Sequence, residues 1–235
     1  MNAIEDPARD DLSSRVRRLF VDSPTSFAAS LRSERWDEVR RRFPDLEQMS
    51  VVDLGGTVEW WERAPVRPRT VVVVNLFEPG ESDSDDLVPV TGDACDAGKV
   101  LAQAGAPQAF DLVFSNSIIE HVGGHGPRVA LAEQVRALAP YHWVQTPYRY
   151  FPVEPHYLFP GLQFLPLRAR TAVAERWPLQ HTRPANRTEA SNELQWTELL
   201  SISEMRTYFP DSEIYKERLA GLVKSLVAVR SPVPG

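Results

Sequence analysis

Apolar residues along this chain follow two rhythms. Phe27, Leu31, Trp36, Val39 and Phe43 recur at near-helical spacing and form an apolar stripe, which predicts an amphipathic helix over Thr25 to Phe43. Ser23 suits its N-cap, Pro24 its first turn, and Pro44 stops it. Short continuous runs follow: Met49 to Leu54, Thr70 to Leu76, Leu87 to Thr91, Phe110 to Ser115 and Tyr141 to Gln145. Runs without period-two alternation suit strands buried on both faces of a parallel sheet, and a helix near Pro127 to Ala139 supplies one crossover. Strand, crossover and strand in this order predict a Rossmann-like, doubly wound α/β fold with a mostly parallel seven-stranded sheet.

The rhythm breaks after Thr146. Tyr148 to Pro184 is rich in aromatic residues and arginine, and Pro152, Pro155, Pro160, Pro166 and Pro178 interrupt it at irregular steps. Such prolines oppose long regular elements, yet the stretch is too apolar for a free linker, so a lid over the strand ends is expected. A helix near Ser203 to Phe209 and strands at Glu213 to Arg218 and Lys224 to Arg230 close the chain, the strands as a C-terminal antiparallel hairpin. One domain accommodates all of this: an N-terminal helical segment 1–48, a core 49–146, a lid and substrate segment 147–198, and a terminal helix and hairpin 199–235.

Composition narrows the function classes. Hydrophobic residues at 43% and charged residues at 25% are globular values, and the formal net charge of −6 argues against a nucleic-acid partner, which leaves a basic footprint. The run Arg40-Arg41-Arg42 is the densest basic cluster and reads as a solvated helix face. A single cysteine, Cys95, excludes an internal disulfide and a cysteine-held zinc. No apolar run approaches the ~20 residues of a membrane span. Met1 to Asp11 is polar and acidic rather than leader-like, so a cytoplasmic protein is expected. Oligomeric state is not legible.

Small and polar residues cluster where the predicted strands end, which is where open α/β sheets bind ligands. The first strand runs into Asp53-Leu54-Gly55-Gly56; Asn75 follows 22 positions after Asp53, close to the offset of a ribose-recognition residue in nucleotide-binding folds. Thr91-Gly92-Asp93-Ala94 ends the third strand, and the fourth ends in Ser115-Asn116 before Glu120-His121-Val122. In order and spacing, Val51 to Thr146 resembles the class I S-adenosylmethionine-dependent methyltransferases, the small-molecule type 11 group in particular. The resemblance implies the following placements around that cofactor. The turn Asp53-Leu54-Gly55 lies at its methionine part, Asn75 at the ribose hydroxyls, Leu76 and Ala94 at the adenine, Asp93 at the adenine amino group, and Ser115 and Asn116 along the methionyl chain. Two positions depart from the pattern: Thr57 and Glu59 stand where further glycines are usual, and Asn75 replaces an acidic residue. No G-x-G-x-x-G follows the first strand, which argues against a nicotinamide dehydrogenase.

Methyl transfer from a sulfonium needs alignment, and an oxygen nucleophile also benefits from a base. His121 at the cofactor edge and His156 are the candidates. Glu154 lies two positions before His156 in an extended stretch, so it can face the same side and orient the imidazole. His125 reads as loop and His142 as core; His181 falls on the lid. Glu120, Tyr148, Arg149 and Tyr157 are candidate acceptor contacts. Thr146 to Pro160 is similar to bacterial methyltransferases of glycan and cell-envelope biosynthesis, and aromatic faces suit the C–H surface of sugars. The expectation is O-methylation of a sugar, glycan precursor or other polar small molecule. N- or C-methylation and a non-catalytic binding module of the same fold are the alternatives. Mg²⁺ is compatible with Glu120, Glu154 and His156 as ligands but demanded by no motif.

Overall fold

The computed structural model describes residues 27–77, 79–179 and 184–233, with side chains from Ser33 onward. The strands are β1 Ser50–Leu54, β2 Thr70–Asn75, β3 Leu87–Thr91, β4 Leu112–Asn116, β5 Tyr141–Pro147, β6 Val153–Glu154, β7 Phe159–Pro160, β8 Glu213–Leu219 and β9 Leu222–Arg230. The helices are α1 Phe27–Arg42, α2 Val58–Glu62, α3 Ala97–Gln103, α4 His125–Leu138, α5 Leu167–Ala174, α6 Arg187–Trp196 and α7 Ile202–Tyr208. The main sheet has the order β3-β2-β1-β4-β5-β9-β8, parallel from β3 to β5 and antiparallel beyond. The chain winds outward from β1 to β3 and then resumes on the other side of β1 with β4. Such a switch point opens a crevice above the carboxyl ends of β1 and β4.

Why the strand sequences lack alternation is visible in the packing. Val52, Leu54, Val72, Val74, Val113 and Val144 face a layer containing Leu101 of α3, Leu131 and Val135 of α4, and Met205 of α7. Val51, Val71, Val73, Leu112, Phe114 and Trp143 face Trp36 and Val39 of α1 and Phe43 just after it, together with Trp61 of α2. With both faces covered, either parity of a strand must be apolar. The stripe is therefore as expected at Trp36, Val39 and Phe43. The expected helix start at Ser23 and Pro24 lies outside the described residues, as do the side chains of Phe27 and Leu31.

Arg42 departs from the solvated face read from the arginine run. Its side chain is 2% exposed; it donates to Glu38 at 2.8 Å and forks onto Glu213 of β8 at 2.6 and 2.7 Å. Arg35 likewise forks onto Glu217 at 2.6 and 2.7 Å, so two guanidiniums fasten α1 to the terminal hairpin. That hairpin turns through Ala220 and Gly221, both with positive φ (48° and 83°), the two-residue geometry that matches strand twist.

The proline-rich segment is more regular than its composition suggests. It holds the small β6–β7 hairpin and α5, and with α6, which follows it, encloses a cluster of Tyr157, Leu162, Ala174, Ala190 and Leu194. Prolines sit at its joints: Pro166 precedes the first residue of α5, where a missing N–H costs nothing. α6 starts at an Asn186 cap whose side chain accepts from the Glu189 N–H at 3.0 Å. His181 lies outside the described residues. Among the described residues no helix is long and apolar enough to cross a membrane.

Candidate functional site

The turn after β1 is built by backbone demands. Gly55 has φ 93°, and a β-carbon there would stand 2.1 Å from Cγ1 of Ile118, so only glycine fits between β1 and the segment after β4. Asn75 fastens this turn: its Nδ2 donates to the carbonyls of Gly55 (3.2 Å) and Gly56 (2.8 Å), and its Oδ1 accepts from the Phe77 N–H at 3.1 Å. A carboxylate could not donate to those carbonyls, which gives the amide a structural reason to stand where an acid is usual.

Two cavities adjoin at Gly55. The smaller, about 320 Å³, is lined by Asp53, Gly56, Trp60, Asn116 and Ser117 among others. Asp53 is buried beneath it. Its Oδ2 accepts from Trp61 Nε1 at 2.7 Å, while Oδ1 has no partner among the described residues, and neither has Asn116 Oδ1. Burial outweighs the indole bond and pushes the Asp53 carboxyl up to about 7. The larger cavity, about 700 Å³, is lined by Asn75, Leu76, Asp93, Ala94, His121 and Trp196 among others. Asp93 Oδ1 accepts from the Cys95 N–H at 2.8 Å, capping the turn that forms the cavity floor. Leu54 and Ser115 line neither cavity. Leu54 is core, and Ser115 Oγ donates to the Leu54 carbonyl at 2.9 Å, tying β4 to β1.

Beside the larger cavity lies a chain of ionisable groups. His156 Nδ1 meets Glu154 Oε1 at 2.7 Å, and Glu154 Oε2 accepts from the Tyr157 N–H at 2.8 Å. His156 Nε2 faces His121 Nε2 at 3.2 Å, with the rings at 84°, and His121 Nδ1 meets Thr197 Oγ1 at 3.2 Å. Glu120 is fully buried alongside; Oε2 accepts from Thr146 Oγ1 at 2.9 Å and Oε1 has no partner among the described residues. Burial pushes Glu120 up to about 7 and, with His156 nearby, pushes His121 down to about 4. For His156 burial disfavours the imidazolium, yet the bond to Glu154 and the charges of Glu154 and Glu120 hold it above the usual range.

A third cavity of about 350 Å³ opens on the other side of this chain, between the lid and the core. Glu154, Tyr157 and Thr197 line it together with Arg149, Gln163 and Arg170. Arg149 is partly engaged, donating to the Leu199 carbonyl at 2.7 Å and to Glu204 at 3.0 Å. Gln163 Oε1 and Arg170 Nε are buried without partners among the described residues. Tyr148 lines none of the three; its ring packs edge-on against Tyr150 at 5.5 Å. Glu120 sits within the histidine cluster rather than on a cavity wall. His142, read as core, is buried, bonds Ser212 Oγ at 2.7 Å and is pushed down to about 4 by burial. His125 begins α4 and meets the Tyr208 hydroxyl at 3.1 Å. Trp196, Thr197, Gln163, Arg170 and Trp61 escaped sequence reasoning. Only the exposed Trp196, apolar at the end of a polar helix, carried a signal.

No protein-family model and no curated protein matches this chain. Among solved structures it is similar to a candidate S-adenosylmethionine-dependent methyltransferase of Listeria monocytogenes, with TM-score 0.51, 12% identity, and 84% of this chain and 97% of that one covered. It is similar also to an S-adenosylmethionine-dependent methyltransferase of Mesorhizobium loti, with TM-score 0.50, 14% identity, and 83% and 97% covered. A third is DhpI, crystallised with S-adenosylhomocysteine, with TM-score 0.50, 12% identity, and 93% and 94% covered. At these identities the likeness extends to the fold, and the chain has the Rossmann-like fold of the S-adenosylmethionine-dependent methyltransferases.

Proposed function

We propose that this chain is a single-domain, cytoplasmic enzyme that methylates a hydroxyl of a sugar, glycan precursor or other polar small molecule with S-adenosylmethionine. One observation carries the reading: the hydrogen-bonded chain Glu154–His156–His121–Thr197 joins the larger cavity at Gly55, which His121 lines, to the polar cavity under the lid, which Glu154 and Thr197 line. The donor set fits the cofactor. Two buried acceptors without partners, Asp53 Oδ1 and Asn116 Oδ1, border the smaller cavity and suit an ammonium group. Leu76 and Ala94 offer apolar contact to an adenine, with the backbone and carboxylate of Asp93 beside them. When bound, the cofactor supplies a sulfonium-activated methyl group, so a new O–C bond forms as the C–S bond breaks and the electron pair stays on sulfur.

What remains for the protein is alignment and proton handling. Arg149, Gln163 and Arg170 hold the acceptor's hydroxyls, with Tyr157 as an aromatic wall. Glu154 fixes the orientation of His156, and the imidazole pair accepts the hydroxyl proton at an Nε2. An N- or C-methylated product is the alternative outcome, and mass spectrometry of the product separates these.

Incubation with methyl-labelled S-adenosylmethionine and a panel of saccharides and polyols tests the proposal. Label transferred to a hydroxyl by wild type, with turnover lowered at least about 100-fold in His156→Ala while cofactor affinity changes little, is the expected result. Undiminished turnover in His156→Ala removes it from the mechanism. Failure of the cofactor to bind leaves a non-catalytic module.

A further inference from the structure

We propose that Glu120, His121 and His156 form a divalent transition-metal site, with zinc as the ion they fit best. One ligand atom from each of the three lies within 4.8 Å of the others. The two imidazoles present Nε2 to Nε2 at 3.2 Å. Two ligands on a tetrahedral cation with bonds of ~2.0–2.1 Å stand about 3.3 Å apart, so the histidines already hold the right separation. Glu120 supplies the third ligand atom of the set.

A second observation is independent of the cluster geometry. Glu120 is fully buried and its Oε1 has no partner among the described residues, a costly arrangement for a carboxyl unless something else binds there. A third lies one shell out. Metal-bound imidazoles generally hand their other ring nitrogen to a carboxylate or another oxygen, which fixes the ring. Here His156 Nδ1 is held by Glu154 at 2.7 Å and His121 Nδ1 by Thr197 at 3.2 Å. Both outer nitrogens are engaged and both inner ones converge.

Two imidazoles and one carboxylate suit Zn²⁺, and after it Fe²⁺, Co²⁺ or Mn²⁺, better than Mg²⁺, which takes oxygen ligands and keeps its water. Three protein ligands would leave one coordination position for water or substrate; His121 lines the larger cavity, and Glu154 and Thr197, which hold the two imidazoles, line the lid cavity. The site itself stands on these residues; its consequence for catalysis rests on the methyl-transfer reading. There, Glu120, His121 and His156 would hold the cation, which would make an acceptor hydroxyl bound to it more acidic; with the metal loaded, the two imidazoles would serve as ligands and water would take the proton.

The test uses the full chain, stripped with a chelator, dialysed, and titrated with Zn²⁺ by calorimetry and with Co²⁺ by visible absorption. One saturable equivalent per chain is expected, with a Co²⁺ band of low-coordinate intensity. Affinity should fall at least about 100-fold in Glu120→Gln and in His156→Ala, and about 10–100-fold in Glu154→Gln, which removes only the supporting carboxylate. His125→Ala, outside the cluster, should bind as wild type. Absence of saturable binding in wild type, or undiminished binding in Glu120→Gln with its fold intact by circular dichroism, overturns the site. A parallel titration of the stripped protein with S-adenosylmethionine keeps the two ideas apart: cofactor heat without metal heat sinks the metal site alone, and metal heat without cofactor heat sinks the methyl-transfer reading alone.

Discussion

Asp53 offers the sharpest quantitative prediction, because its carboxyl is buried, half-satisfied and central to the cofactor cavity. Burial raises it from its ordinary 3.8 to about 7 in the folded chain. A raised acid binds its proton more tightly when folded, so its contribution to stability is fully present below about pH 4. That contribution is lost as pH rises from there to about 7, and is absent above. Three pH units at ~1.4 kcal/mol each make that loss about 4 kcal/mol. Asp53→Asn keeps an oxygen for the Trp61 indole and removes the charge. The new NH₂ is itself poorly satisfied, at a cost of about 1–3 kcal/mol. At pH 8 the variant should therefore be more stable than wild type by about 1–3 kcal/mol, and at pH 4.5, where wild type has lost only about 1 kcal/mol, less stable by up to about 2 kcal/mol. Urea denaturation of both proteins at several pH values measures this, and comparing the two cancels every other titrating group. The same variant should bind S-adenosylmethionine more weakly, because the negative charge facing the ammonium is gone. Parallel pH profiles for the two proteins, or a variant less stable at pH 8, would refute the reasoning.

Further outcomes follow from the same geometry. Gly55→Ala forces a side chain into a left-handed residue and onto Ile118, and should cost about 2 kcal/mol or more of unfolding free energy and abolish cofactor heat in calorimetry. Trp196, 60% exposed at the mouth of the larger cavity, contributes little to the fold. Trp196→Ala should leave the Tm nearly unchanged while weakening cofactor binding roughly tenfold, as read by titration. Arg42→Ala leaves Glu38 without its inner guanidinium and removes one of the two clasps between α1 and β8, which should destabilise by about 3 kcal/mol in urea denaturation.

The sheet was legible because a parallel strand covered on both faces must be apolar throughout, and the five valine- and leucine-rich runs say so directly. Leu87–Thr91 was delimited to the residue, and the others differ from the structure by one or two residues at their ends. Asp53, Gly55 and Asn75 were legible as a turn and its neighbour, but the bonds of Asn75 were not. An amide at a strand end looks the same whether it faces a ribose or two glycine carbonyls. The bond of Ser115 was equally illegible: in a β-strand one residue decides the face, and its hydroxyl donates to the Leu54 carbonyl. Helix α5 was hidden by prolines, one of which, Pro166, stands at its start rather than inside it. The meeting of His121 with His156, 35 positions apart, and of His121 with Thr197, 76 apart, is a product of tertiary folding that no local spacing encodes.

A crystal structure of the chain with S-adenosylhomocysteine bound is the most direct measurement. Electron density for the adenosine between Asn75 and Asp93, the amino acid end on Asp53 and Asn116, and the sulfur directed toward His121 is the expected result. Density elsewhere on the molecule, or cavities beside Gly55 that stay vacant at saturating ligand, would contradict it.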